Sequence, residues 1–260
     1  MRIATWNVNS LKMRLPRVEE WLAYARPDVL CVQETKLADS AFPAMAFAAL
    51  GYESAHCGQG QWNGVAILSR VGLDDVTADF SDQEADEVTE ARLLWATCAG
   101  VRVGSVYVPN GRVVGSEHYE AKLAWLERLR RHVTGTGDPS GELVICGDFN
   151  VAPDDRDVWD PTKLHGGTHV SGPERKAVAA LQDWGLDDVF RRCYDDSGLY
   201  SWWDYRAGDF HQHRGLRIDL ILATRSLADR TTYSLIDRFA RKGKGPSDHA
   251  PLLADFDRPT

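Results

Sequence analysis

The sequence predicts a layered fold of the α/β or α+β class. Short β-rich apolar runs recur along the whole chain, and helical patterns with recognisable starts fall between some of them. No Pro/Gly/Ser linker, low-complexity tract or short-period repeat divides residues 1–260, which predicts one domain.

The runs read as strands are "RIATWNV" (2–8), "DVLCVQE" (28–34), "GVAILS" (64–69), "LLWATCAG" (93–100), "VRVGSVYV" (101–108), "ELVICGDF" (142–149), "RIDLILAT" (217–224) and "APLLADF" (250–256). Three segments carry helical spacing instead. Residues 14–25 place Val18, Trp21 and Leu22 on one face. Residues 116–133 do the same with Leu123, Leu126 and Leu129 behind Ser116 as N-cap. Residues 171–184 open on an S-x-x-E capping box, Ser171 to Glu174, and continue through Val178 and Leu181.

The net charge of −8 at first argues against a polyanionic partner. Eight acids between Arg70 and Arg92, with no Lys or Arg among them, account for all of it. Local patches therefore matter more than the total, since salt screens charges beyond roughly 10 Å. That acidic segment is expected to be a solvated loop or edge hairpin without chemistry. Five scattered cysteines with no C-x-x-C pair indicate neither a disulfide framework nor a thiolate zinc site. Cys31 and Cys146, inside apolar runs, are expected to be small buried thiols. No signal-type or membrane-length apolar stretch is visible, so the expectation is a reduced, soluble, cytoplasmic protein.

Four apolar runs end in polar chemistry: "TWNVN" in Asn7 and Asn9, "CVQET" in Glu34, "VYVPN" in Tyr107 and Asn110, "CGDFN" in Asp148 and Asn150. "RID" carries Asp219 into a strand, and "PSDHAP" sets Asp248 and His249 just before another. If these ends converge, four carboxylates crowd one cleft and repel unless a cation compensates them. Carboxylate and amide oxygens without thiolates favour Mg²⁺ or Mn²⁺ over zinc. Such a site suits phosphodiester hydrolysis, which needs an activated water and stabilisation of charge on phosphorus.

Six motifs in order, "WNVNSLK", "QETK", "YVPNG", "GDFNVAPDDRD", "SWWDYRAGDF…RGLRIDLIL" and "PSDHAPL", resemble the exonuclease III family of apurinic/apyrimidinic endonucleases, within the endonuclease/exonuclease/phosphatase superfamily. The resemblance runs from Ile3 to about Phe256. It implies a four-layer α/β sandwich, two mixed β-sheets packed face to face with helices outside, and a metal cleft at one edge.

By that resemblance Glu34 is the principal metal ligand, Asn7 supports or joins the metal shell, and Asp248 is a further carboxylate of it. Asn9 stands where some members carry Asp. Asp148 orients and deprotonates the water, and Asn150 hydrogen-bonds nucleophile and phosphate, because a neutral amide can donate where a carboxylate cannot; both are also counted in the metal shell. Tyr107 points its phenol at the phosphate or the leaving oxygen. His249, paired with Asp219, contacts the scissile phosphate. The plainer readings are a helix cap or Asx-turn for "GDFN" and a simple turn for Asn110. Trp202 and Leu216 line a pocket for a baseless sugar, Trp202 or Trp203 being alternatively core. Arg206, Arg214 and Arg217, and the loops around Lys12, Arg14 and "RFARKGKG", are candidates for phosphate contact.

The implied function is a Mg²⁺-dependent repair nuclease, acting as a monomer on duplex DNA with abasic sites or blocked 3′ ends. It would cut 5′ to the abasic site and trim 3′ ends as exonuclease and phosphatase. The alternatives are another phosphoesterase of the superfamily (a nonspecific nuclease or a lipid or inositol phosphatase) or a DNA-binding module without activity.

Overall fold

Every run expected to be extended forms a strand in the computed structural model, which describes residues 1–80 and 90–257. The order opens with β1 (Arg2–Asn7), α1 (Leu11–Ala25), β2 (Val29–Gln33), α2 (Ala44–Ala49), β3 (Glu53–Cys57), β4 (Val65–Ser69), β5 (Asp74–Ala78), β6 (Leu93–Cys98) and β7 (Val101–Tyr107). It continues with α3 (Glu117–Thr136), β8 (Leu143–Asp148), α4 (Pro161–Leu164), α5 (Gly172–Trp184), β9 (Leu186–Asp188) and α6 (Val189–Cys193). It closes with β10 (Asp219–Thr224), α7 (Arg225–Ala228), β11 (Thr231–Ile236) and β12 (Leu252–Phe256).

Among the described residues the strands form two six-stranded sheets, ordered β11–β12–β1–β2–β4–β3 and β5–β6–β7–β8–β10–β9. Each is mixed. One parallel pair, β1 with β2 or β7 with β8, sits among antiparallel neighbours. The side-chain period of two then sorts every central strand between two faces. Ile3, Cys31, Cys146 and Ile221 join one core between the sheets, with Cys31 and Cys146 buried free thiols as expected. Ala4, Trp6, Leu30 and Val32 face outward against Val18, Trp21 and Leu22 of α1. Ile145, Leu220 and Leu222 face the other way, against Leu126 and Leu129 of α3 and Val178 and Leu181 of α5. Helices thus cover both outer faces, and the result is the four-layer α/β sandwich.

The structure corrects several readings. The buried stripe of α3 runs through Tyr119, Lys122, Leu126, Leu129 and Val133, so a lysine replaces Leu123 on the inner face. Four strands escaped the sequence reading: β3, β5, β9 and β11. β3, β5, β9 and β11 are sheet edges, where one neighbour suffices and apolar alternation is not demanded. The acidic segment begins on one of them, with Asp74 and Asp75 exposed on β5, while Asp82, Glu84, Asp86 and Glu87 lie outside the described residues. Both expected caps form. Ser116 Oγ accepts from the Tyr119 amide at 3.3 Å, and Ser171 with Glu174 makes a complete capping box.

Gly147 shows how closely the central strands meet. A Cβ there would lie 1.9 Å from the Val106 carbonyl oxygen across the β7–β8 pair, so no larger residue fits. Neither partner can swing aside, because both atoms belong to backbone in a central ladder. Gly147→Ala is expected to lower stability by about 3 kcal/mol or more, read from urea unfolding. An unchanged urea midpoint would mean that the ladder gives way without cost.

Candidate active site

The same strand parity that builds the inter-sheet core places the site. Asn7 continues the face of Ile3, Tyr107 that of Val101 and Val103, Asp148 that of Val144 and Cys146, and Asp219 that of Ile221 and Ala223. At their ends the apolar series stops and polar groups take the next inward position. Register gathers them. Asp148 pairs across the ladder with Tyr107 on one side and Asp219 on the other. Since β10 runs antiparallel to β8, its first residue faces the last of β8.

Asp148 and Asp219 are 1% and 0% exposed, so neither charge is relieved by solvent. His249 relieves both. Its Nδ1 lies 2.8 Å from Asp219 Oδ2, and its Nε2 lies 3.8 Å from Asp148 Oδ2. Because a carboxylate only accepts, Nδ1 carries a proton. Burial alone would push the imidazole down, but Asp219 and Asp148 overcome it and raise it to about 10, making an imidazolium at neutral pH. Burial raises the proton affinity of Asp148, His249 opposes this and Asp219 adds to it. The ring is set by the loop that carries it: Trp6 Nε1 donates to the His249 carbonyl at 3.1 Å, and Ser247 Oγ accepts from the His249 amide at 3.2 Å.

Glu34 stands beside this group. Asn7 Nδ2 donates to Glu34 Oε1 at 3.1 Å and to Asp148 Oδ2 at 2.9 Å, joining the two acids through one amide. Tyr107 OH donates to Glu34 Oε1 at 2.7 Å, and Lys36 Nζ lies 2.8 Å from Oε2. Burial pushes the Glu34 carboxyl up, yet Lys36, Tyr107 and Asn7 outweigh it and hold it below the ordinary carboxylate range. The Tyr107 phenol is pushed well up by burial and by the charges of Glu34 and Asp148, so it stays protonated. Asp248 is linked to this group through Asn9: Asn9 Nδ2 donates to its Oδ1 at 3.0 Å, Trp202 Nε1 to its Oδ2 at 3.0 Å, and Lys36 Nζ to Asn9 Oδ1 at 2.6 Å.

Asn150 turns back over Asp148. Its amide nitrogen donates to Asp148 Oδ1 at 2.9 Å, its Nδ2 to the Val108 carbonyl at 2.9 Å, and its Oδ1 accepts from Asn110 Nδ2 at 3.3 Å. Beyond His249 the wall becomes apolar. Trp202 bridges to both Leu216 and His249, and Leu216 belongs to a small cluster with Val158 and Val170. Trp203, in contrast, is fully buried core.

The structure therefore brings together Asn7, Glu34, Tyr107, Asn110, Asp148, Asn150, Trp202, Leu216, Asp219, Asp248 and His249. The arginines divide. Arg206 is an exposed side chain paired with Asp204, and Arg214 is held by Asp209 over the Trp159 ring. Arg217 is not at the surface at all: it is 0% exposed and bonded to Asp157 Oδ1 at 2.6 Å and Asp188 Oδ2 at 2.8 Å. An expected phosphate grip is thus a buried structural pair. Lys36, which sequence reasoning passed over, was signalled by its place two residues after Glu34. His169, whose Nδ1 lies 2.6 Å from the Asn150 carbonyl, had no sequence signal, standing alone in a loop.

As a set, these groups offer hard oxygen donors from Glu34, Asp148, Asp219 and Asp248, with no thiol among them. Among the described residues Asp219 Oδ1 is buried without a hydrogen-bond partner. That chemistry fits Mg²⁺ or Mn²⁺. Asn7 turns its Nδ2 rather than its Oδ1 toward the acids, the arrangement of a supporting group.

A model of the Endonuclease/Exonuclease/phosphatase family matches residues 4–249. The exodeoxyribonuclease III of Haemophilus influenzae is 33% identical, over 98% of this chain and 100% of that protein. The exodeoxyribonuclease of Bacillus subtilis is 30% identical, over 97% of this chain and 98% of its own. The structure of an AP endonuclease from Archaeoglobus fulgidus superposes with a TM-score of 0.95 at 40% identity, covering 99% of this chain and 100% of that one. A Neisseria 3′ phosphatase, NExo, bound to product DNA hairpin, gives the same TM-score at 39% identity, with the same coverage of both chains. The chain belongs to the Endonuclease/Exonuclease/phosphatase family, among its exodeoxyribonuclease III-like nucleases.

Proposed function

We propose that this DNA-repair nuclease hydrolyses the phosphodiester 5′ to an abasic site in duplex DNA and removes blocking groups from 3′ ends, with Mg²⁺ or Mn²⁺ at Glu34 and Asp248. The observation that carries the reading is the meeting of the buried Asp148–His249–Asp219 group with the Glu34 cluster, directly beside the apolar wall of Trp202 and Leu216. Relatives of equal structural similarity include an AP endonuclease and a 3′ phosphatase, which supports both arms of the activity.

A divalent cation at Glu34 and Asp248 would offset the crowded acids and polarise the phosphate. The remaining steps fall to the protein. Asp148, its proton affinity raised by burial, takes a proton from the attacking water, and Asn150 holds the lone pairs of that water toward phosphorus. The water oxygen bonds to phosphorus as the bond to the 3′ oxygen breaks, so a 3′-hydroxyl is left. The His249 imidazolium, fixed by Asp219, faces the charge that builds on the phosphate. Tyr107 keeps its proton and can present it to the phosphate or the departing oxygen. Trp202 and Leu216 give the baseless sugar an apolar surface, and extruding such a sugar breaks no base pair. We infer a single catalytic domain acting as a monomer in the cytoplasm. Among the described residues no helix is long and apolar enough to cross a membrane, which is consistent with that placement.

The test is incision of a duplex carrying one tetrahydrofuran abasic analogue, with Mg²⁺ or with EDTA, beside intact-duplex, single-stranded and 3′-phosphate controls. Turnover is expected only with metal, and faster on the abasic or 3′-blocked duplex than on intact DNA. Equal rates on all duplexes would instead identify a nonspecific nuclease. Asp148→Asn should lower kcat by about 1,000-fold or more. Glu34→Ala should raise the Mg²⁺ concentration needed for half-maximal rate by roughly tenfold. A metal titration identical to that of the parent enzyme would remove Glu34 from the ligand set.

A further inference from the structure

Beneath the asparagine loops lies an ion pair that none of these roles uses. Lys122 of α3 and Glu174 of α5 form a salt bridge with both side chains 0% exposed. The ammonium has three protons to place, and three acceptors surround it: Glu174 Oε1, the Asn150 carbonyl at 2.6 Å and the Asn110 carbonyl at 3.3 Å. Glu174 is equally saturated. Its Oε1 also accepts from the His169 amide at 3.0 Å, and its Oε2 from the Ser171 amide at 3.1 Å and the Ser171 hydroxyl at 2.6 Å.

Holding two helices together does not require this. An apolar pair of similar volume packs as well and avoids the desolvation of two ions, which buried pairs often fail to repay. What an apolar pair cannot do is grip two carbonyl oxygens on separate loops. Those loops carry Asn110 and Asn150, and Asn150 sits in the left-handed region with φ +50°, a conformation that needs outside support. A second donor confirms the demand at that point. His169 Nδ1 also reaches the Asn150 carbonyl at 2.6 Å, and burial together with the neighbouring ammonium lowers that ring to about 4, leaving one proton, which must sit on Nδ1. The capping box at the start of α5 thus has a second task, since its glutamate is the counter-ion.

We propose that Lys122, kept charged by Glu174, is a positioning residue for phosphodiester hydrolysis: it pins the backbones of Asn110 and Asn150 and so fixes the Asn150 amide against Asp148. This rests on the reading of Asp148 and Asn150 as the pair that handles the water. The test is the double variant Lys122→Met/Glu174→Gln, which leaves no unpaired buried charge, measured beside Leu126→Ala, a core change on the same helix face. For the double variant kcat on the preferred DNA substrate should fall about 100-fold, while KM for DNA and the Mg²⁺ requirement stay within about threefold. Leu126→Ala should lose stability and keep its kcat. Hydrogen exchange at Val108, Asn110 and residues 149–151 should rise about tenfold in the double variant only. A folded double variant with parental kcat, or with parental exchange in those loops, would overturn the proposal. If the double variant does not fold, Glu174→Gln alone decides by the same two readouts, with a kcat loss of about tenfold expected. A parent enzyme inactive on every DNA substrate would sink the functional reading, and the exchange comparison would still judge the pinning on its own.

Discussion

Two buried acids face each other across a β-ladder, and the rest of the site answers to that fact. Asp148 and Asp219 are paired by register, not by choice of rotamer, so they cannot separate without breaking the β8–β10 pair. A cation must therefore come to them. The loop from Ser247 to Ala250 supplies one as His249, and its anchoring is correspondingly thorough. Ser247 Oγ donates to the Asn7 carbonyl at 2.7 Å, the Ala250 amide to the Ser201 carbonyl at 2.7 Å, and the Trp203 amide to the Asp248 carbonyl at 3.1 Å. These bonds tie the imidazole-bearing loop to the end of β1 and to the segment from Ser201 to Trp203. The protein fixes where positive charge stands before any phosphate arrives, which is what electrostatic preorganisation requires.

The other half of the site is held by strained turns instead. Asn9, Glu34, Lys36 and Asn150 all have positive φ, between 45° and 52°. Such residues cost of order 1–3 kcal/mol each and persist only where surroundings over-determine them. Here the Glu34 and Asn9 turns support one another. The Ser10 amide donates to the Glu34 carbonyl at 2.8 Å, Leu11 to Thr35 at 2.9 Å, and Lys36 to the Asn63 carbonyl at 2.9 Å. Rigid strand ends thus place Asp148 and Asp219, while interlocked turns aim Glu34 and Asn150 inward over them.

Much of this was legible because strand alternation is a strong constraint. Once "LVICGDF" is a strand with Val144 and Cys146 inward, Asp148 must point the same way, and the same parity fixes Tyr107 and Asp219. Sequence could not show register, so the facing of Asp148 with Asp219 appeared only in the fold. Nor could it separate a buried lysine from a solvated one. Lys122 interrupts the leucine stripe of α3 where Leu123 fits helical spacing nearly as well, and its partner lies 52 residues away. Arg217 failed for the mirror reason. In a stretch dense with aromatics and arginines it looked like its neighbours, but its side chain turns into the body of the protein, between Asp157 and Asp188.

That division of the arginines also settles how an acidic chain can face DNA. Several cations near the rim are spent on the fold. Arg14 donates to the Asn9 carbonyl and to Tyr205 OH, Arg17 to the Ala240 carbonyl, and Arg241 lies buried against the Ser247 carbonyl and the ring of Phe210. Lys12 in the first turn of α1, and Lys242 and Lys244 in the loop after Arg241, remain exposed. The acids of β5, in turn, stand on the outermost strand of their sheet, three strands from β8. Three strand spacings of about 4.8 Å already exceed one screening length in physiological salt. Asp74 and Asp75 therefore stand away from the cleft, where the His249 imidazolium supplies local positive charge whatever the total.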